Sequence, residues 1–181
     1  MKSQLLFLFL ILLNISGFAQ ETAQVKLFAD KAQSSITYAM KHPLHSWEAT
    51  SKEINSVILT DAGRNIISQA AVSVKISSFD SQNANRDSHC LEVTDAIKYP
   101  AISFASTSVK QEGNNLDVTG KLTFHGVTKE ITLKATKETI NNKIKVTGSF
   151  SVNMKDYNIE PPSLMALETD PEIKLSFNMV Y

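Results

Sequence analysis

Leu116-Asp117-Val118-Thr119-Gly120-Lys121-Leu122-Thr123-Phe124-His125-Gly126-Val127-Thr128-Lys129-Glu130-Ile131-Thr132-Leu133-Lys134-Ala135 is an apolar-polar alternation interrupted at one point by a His-Gly pair. Leu116, Val118, Gly120, Leu122 and Phe124 fall on one face of an extended chain, as do Ile131, Leu133 and Ala135 further on. A period of two with Thr and Lys on the opposite face marks half-buried strands. His125-Gly126 supplies the turn between them. The stretch therefore predicts an antiparallel hairpin with one wet and one dry side.

The same period extends outward in both directions. It recurs at Ile36, Tyr38 and Met40, at Val72, Val74 and Ile76, at Ile144, Val146, Gly148, Phe150, Val152 and Met154, and at Ile173, Leu175, Phe177, Met179 and Tyr181. Asp61-Ala62-Gly63, Glu112-Gly113-Asn114-Asn115 and Asn141-Asn142 provide turn chemistry between runs. The last four runs are spaced as an up-and-down meander. Strands this regular leave a whole apolar face to cover, so the sheet must close on itself or pack on a second sheet. Gly120 and Gly148 on the apolar face favour closure, because glycine there marks the sharp bends and bulges that barrel corners require. A sandwich accepts the same glycines as relief of crowding. The fold class read here is all-β, an antiparallel barrel of about eight strands.

One segment departs from the alternation. Asp87 to Lys98 favours a short helix, with Leu91, Thr94, Ala96 and Ile97 as its apolar stripe, Asp87 and Glu92 toward its N-terminal side, Lys98 at its far end and Pro100 as its stop. This puts Arg86 and Asp87 at the helix entrance and His89 on its first turn, over one mouth of the barrel. Arg, Asp and His in such density exceed what a plain connection needs.

Near its beginning the sequence carries Lys2, the apolar run Leu5 to Leu13, and Gly17 and Ala19. This is the pattern of a secretory signal peptide cut after Ala19, and the run is short of the roughly 20 residues of a bilayer span. Residues 1–19 are thus read as a signal and residues 20–181 as one exported, soluble domain, periplasmic or secreted, with no transmembrane segment. The single cysteine, Cys90, excludes an internal disulfide. Eighteen basic residues balance eighteen acidic ones, and an interleaved, near-neutral surface argues against nucleic acid as a partner. The oligomeric state is not legible.

Arg86-Asp87-x-His89, Tyr99-Pro100-x-Ile102-x-Phe104 and above all Gly120-Lys121-Leu122-Thr123-Phe124-His125-Gly126-Val127-Thr128-Lys129, with Asp30 to Ile36 and Lys41-His42 upstream, resemble the YceI family of polyisoprenoid-binding, lipid-binding-like domains. The resemblance covers nearly the whole of residues 20–181. It implies an exported lipocalin-like barrel holding an isoprenoid or similar amphiphile in an apolar tunnel, without catalysis. Two places depart from the family pattern: Pro43 to Thr50 replaces an apolar first hairpin with a Gly, and Cys90 stands where Leu commonly follows the His.

An eight-stranded barrel either fills with side chains or holds one slim ligand. With the resemblance, Met40, Phe104, Phe124, Phe150 and Phe177 are expected to line a tunnel, and Arg86, Asp87 and His89 to meet the ligand's head: either Arg86 holds an anionic group, or His89 and Ser88 donate to the oxygen of a quinone-like lipid. The competing role for Arg86 is a tie to Asp87 or another carboxylate at the rim. His42, His45, His89 and His125 lack zinc-site spacing, so no metal is expected. Neither a Gly-x-Ser-x-Gly element nor a workable Cys90-His89 pair is present. No cofactor beyond a bound isoprenoid or quinone-like lipid is expected. The competing functions are a structural envelope domain with a filled barrel and a lipid-modifying enzyme.

Overall fold

The computed structural model describes residues 23–181; the signal peptide expected at residues 1–19 lies outside them. Twelve strands and one α-helix follow in the order β1 (Gln24–Phe28), β2 (Ser35–His42), β3 (His45–Ser51), β4 (Ile54–Asp61), β5 (Ile67–Lys75), α1 (Ala84–Val93), β6 (Ala101–Glu112), β7 (Asn115–Phe124), β8 (Val127–Ile140), β9 (Lys143–Asn153), β10 (Ser163–Leu164), β11 (Leu167–Glu168) and β12 (Glu172–Val180). Ten of them form one antiparallel sheet in the order β1-β4-β5-β6-β7-β8-β9-β12-β2-β3, and β10-β11 is a separate hairpin.

Local chemistry explains the meander from β6 to β9. His125 and Gly126 both have positive φ, 48° and 73°, and so do Asn141 and Asn142, 49° and 65°. These are two-residue hairpins whose twist matches the strands they join. The polar sides of β7 and β8 are linked by Thr ladders, Thr119 to Thr132 and Thr123 to Thr128. The apolar sides face inward, with Leu116, Val118, Leu122, Phe124, Leu133 and Ala135 all buried.

Closure into a lipocalin-like barrel comes from long-range contacts. β12 pairs with β9 on one side and β2 on the other, so Phe177 stands opposite both Gly148 and Ile36. β3 runs directly into β4, one strand in from the opposite edge β1, and backbone bonds between Thr50 and Asp80, and from Asp30 to the Val180 carbonyl, draw the two ends together. Ser56 and Tyr181 add a hydroxyl pair at 2.6 Å. The sheet has ten strands where about eight were expected. β3 and β4 carry inward-facing Ser51, Ser56 and Thr60, all buried, and these polar residues hide the alternation.

A bulge in β6 at Thr107 lies beside Gly120, which pairs with Ser106. Gly120 thus occupies the kind of corner expected of it. Gly148 pairs regularly with Ala135 and Phe177, so it marks no bulge; its reason is the aromatic ring beside it, described below.

The helix runs from Ala84 to Val93 instead of from Asp87 to Lys98. Asn83 caps it by accepting the Arg86 amide at 3.1 Å, a side-chain cap that fixes the start one turn earlier. It stops before Pro100 is reached, because Thr94 turns its hydroxyl onto the Cys90 carbonyl at 2.6 Å and Asp95 adopts a positive φ of 45°. Ile97, expected on the apolar stripe, is fully exposed.

Candidate functional site

Side chains from every strand of the barrel wall except β1 enclose a cavity of about 210 Å³, lined almost wholly by apolar atoms. A single water needs roughly 10–15 Å³, so the interior is open and not a filled core. Emptiness is costly. At about 24 cal/mol per Å³ of void, a space this size removes on the order of 5 kcal/mol of packing energy, comparable with the whole stability of a small domain.

The cavity has two unlike ends. At the end carrying the turns 112–115 and 140–143, Lys137 is buried and donates to the Asn65 carbonyl at 2.7 Å, which also accepts from Gln111 at 2.7 Å. Gln111 in turn accepts the Ile67 amide. This polar plug closes that end. At the other end α1 lies across the opening, and Arg86, His89, Cys90, Val93 and Thr94 line the cavity there together with Tyr38 and Trp47.

Of the residues singled out from sequence, Met40, Phe104, Phe124, Phe150, Phe177, Arg86 and His89 all line this cavity. Asp87 does not. Its carboxylate turns back to accept the Ser81 amide at 3.1 Å, which braces the loop leading into α1. The Arg86-Asp87 tie anticipated at the rim is therefore absent, and among the described residues Arg86 forms no ion pair. Its guanidinium donates to the Ser81 carbonyl at 3.5 Å and lies 5.6 Å from the centre of the Trp47 ring. Five donors with one long bond leave the group under-used. His89 is exposed and reaches Glu92 at 3.4 Å.

Sequence reasoning did not place Tyr38 and Trp47 at the mouth. Tyr38 belongs to β2 and Trp47 to β3, whose hairpin pairs Tyr38 with Ala49 and Met40 with Trp47. The signal was present as the alternation of Tyr38 with Ile36 and Met40; its height in the barrel was not. Burial, with the Cys90 thiol nearby, pushes the Tyr38 phenol well above its ordinary value. The group stays neutral and able to donate. Burial also raises the Cys90 thiol, with the Tyr38 hydroxyl opposing that shift, so Cys90 has little thiolate character.

The remaining histidines have structural partners. His42 is buried, accepts the Leu44 amide on Nδ1 and meets the Leu167 carbonyl with Nε2 at 3.1 Å. His125 meets the Tyr157 carbonyl at 2.9 Å and packs edge-on to Tyr99. Among the described residues no three His, Cys, Asp or Glu side chains converge as metal ligands, and no helix is long and apolar enough to cross a membrane.

An antiparallel sheet curled around an apolar cavity, with one short helix across its mouth, defines a lipocalin-like barrel. The chain belongs to the YceI family: the YceI-like domain matches residues 28–181. Protein YceI of Salmonella agona (strain SL483) is 35% identical over 139 residues, spanning 75% of this chain and 72% of the relative. That of Escherichia coli O157:H7 is 33% identical over 138 residues. Among solved structures, Burkholderia cenocepacia BcnA superposes with a TM-score of 0.76 at 21% identity, covering 84% of this chain and 99% of BcnA. A polyisoprenoid binding domain from Saccharophagus degradans superposes with a TM-score of 0.69 at 14% identity, covering 86% of this chain and 97% of that domain.

Proposed function

We propose that the protein is an exported, non-enzymatic carrier or scavenger of one long apolar amphiphile of the isoprenoid class, acting in the periplasm or after secretion. The observation that carries this reading is the open, almost wholly apolar cavity with a cluster of polar side chains at its helix-covered mouth. The tail occupies the cavity. The head lies beside Arg86, Tyr38 and His89, where the under-used guanidinium suits an anionic or strongly polar oxygen. Kinship to the YceI family and the shared fold of a polyisoprenoid binding domain support the same ligand class.

Magnitudes agree with this. Each buried methylene contributes about 0.8 kcal/mol, so one five-carbon unit supplies roughly 3–4 kcal/mol before ordering costs, and a few units suffice for tight binding. Two groups of the polar cluster favour the non-enzymatic reading. The Cys90 thiol is held protonated, and Asp87, the carboxylate nearest Arg86 in sequence, is engaged with a backbone amide.

Native mass spectrometry of protein taken from its own host envelope tests the reading. A bound lipid of defined mass, released unchanged by organic solvent, is expected. Folded protein that carries no lipid and takes up no added prenol overturns the carrier; conversion of an added lipid into a new product replaces it with an enzyme.

A further inference from the structure

The cavity runs through two packed clusters, an upper one beneath α1 and a lower one toward the closed end, and Phe104, Phe150 and Phe177 pack against both. Ile131 and Tyr181 also touch both clusters, and the three phenylalanine rings stand with them at the junction, the cavity's waist. Two of the rings lie over glycines. A Cβ on Gly148 would stand 2.5 Å from Cζ of Phe177 and 2.7 Å from the Lys134 carbonyl oxygen; one on Gly120 would stand 2.5 Å from Cζ of Phe104 and 2.5 Å from the Ala105 carbonyl oxygen. Real Cβ atoms do not approach so closely. Each ring tip thus occupies space vacated by the neighbouring strand's missing side chain, and the ring rests in the barrel wall instead of across the lumen.

We propose that the Phe177-Gly148 and Phe104-Gly120 pairs set the length of tail the barrel accepts, by keeping the waist open so that a long tail passes into the lower half. This rests on the carrier reading above. Without the glycines the rings have one direction in which to move, inward, because the strand backbones behind them are fixed by the ladder. A short tail, housed above the waist, is indifferent to that movement. A longer tail is not.

The test compares geraniol, with two isoprene units, and geranylgeraniol, with four, on the purified, delipidated full domain. Gly148→Ala is expected to weaken geranylgeraniol about tenfold or more, the scale of overpacking against one ring, while geraniol changes by less than about threefold. Gly148→Ala combined with Phe177→Leu keeps the strain at the Lys134 carbonyl and removes the ring, so recovery of geranylgeraniol affinity assigns the effect to the ring. Val146→Leu, whose cross-strand neighbours are Lys137 and Met179 and not Gly148 or Phe177, narrows the lower half; it should show the same length-selective loss and serves if Gly148→Ala does not fold. Equal loss of both prenols in a variant that melts cooperatively, or no loss of the longer one in either variant, overturns the proposal. A wild type that binds neither prenol overturns the carrier reading instead.

Discussion

The Arg86 guanidinium lies 5.6 Å from the centre of the Trp47 ring, so the first turn of α1 rests on β3 through a cation-aromatic contact and not through an ion pair. The consequence is a cation beside the cavity mouth that, among the described residues, pairs with no carboxylate. A contact of this kind at a partly exposed site is worth about 0.5–1 kcal/mol, which leaves most of the guanidinium's hydrogen-bonding capacity for another molecule.

Arg86→Ala should therefore reduce stability by no more than about 1 kcal/mol. It should weaken a prenyl phosphate more than the matching uncharged prenol, by about 1.5–3 kcal/mol for a lost charge-assisted hydrogen bond. Parallel titrations of the two ligands, with a melting curve for each variant, check this. Equal weakening of both accompanied by a large fall in melting temperature would return Arg86 to a purely structural role.

The turn between β7 and β8 makes a second, ligand-independent prediction. Gly126 has a φ of 73°, and a Cβ there would stand 2.5 Å from the Tyr99 ring. Gly126→Ala should cost at least about 1–2 kcal/mol from backbone strain alone. His125→Asn, which tolerates the left-handed region, should cost less than His125→Val, which does not. Urea denaturation midpoints of the three variants rank them.

Alkaline pH should loosen the barrel. Burial raises the Tyr181 phenol to about 12, with the Ser56 hydroxyl opposing the shift, and burial raises Tyr38 as well. A phenol whose folded value lies above its unfolded value binds its proton more tightly in the native state. Its contribution is complete below about pH 10, falls as pH rises from there, and is gone above about pH 12. For Tyr181 the loss is on the order of 2 kcal/mol. Unfolding free energies measured from neutral pH upward should fall over this window, and Tyr181→Phe should flatten part of the slope. A stability independent of pH across it contradicts the assignment.

At the closed end, Lys137→Met should cost under about 1 kcal/mol, since the stem's packing survives and the Asn65 carbonyl keeps its bond from Gln111. Lys137→Ala removes the stem and should cost about 1–3 kcal/mol more. Thermal unfolding of both variants separates the packing role from the charge.

Export makes the last prediction. Mass spectrometry of protein recovered from the envelope or medium should find Gln20 as the first residue. Retention of Met1 on recovered protein would refute the signal reading.

Much of the barrel was legible because strand identity and facing depend on neighbours two residues apart. Ile144, Val146, Gly148, Phe150 and Val152 declare one strand and one inward face by composition alone, and His125-Gly126 and Asn141-Asn142 declare its turns. The same logic failed where inward positions are polar, as with Ser51, Ser56 and Thr60; Ser51 finds Ser78 and Ser56 finds Tyr181, both distant in sequence. It failed at the helix ends too: the decisive groups there are the Asn83 cap and the left-handed Asp95, not the more conspicuous Pro100.

The sequence by itself determined the all-β class, the meander from β6 to β9 and the apolar face that becomes the interior, since each follows from local periodicity and turn chemistry. Only the tertiary structure decided that β12 brings Phe177 between Ile36 and Gly148, that Arg86 meets Trp47 in place of Asp87, and that the interior stays open. Those outcomes depend on strand register and closure between residues distant along the chain, Ile36 and Phe177 most of all. A period of two says which way a side chain points and nothing about what stands opposite it.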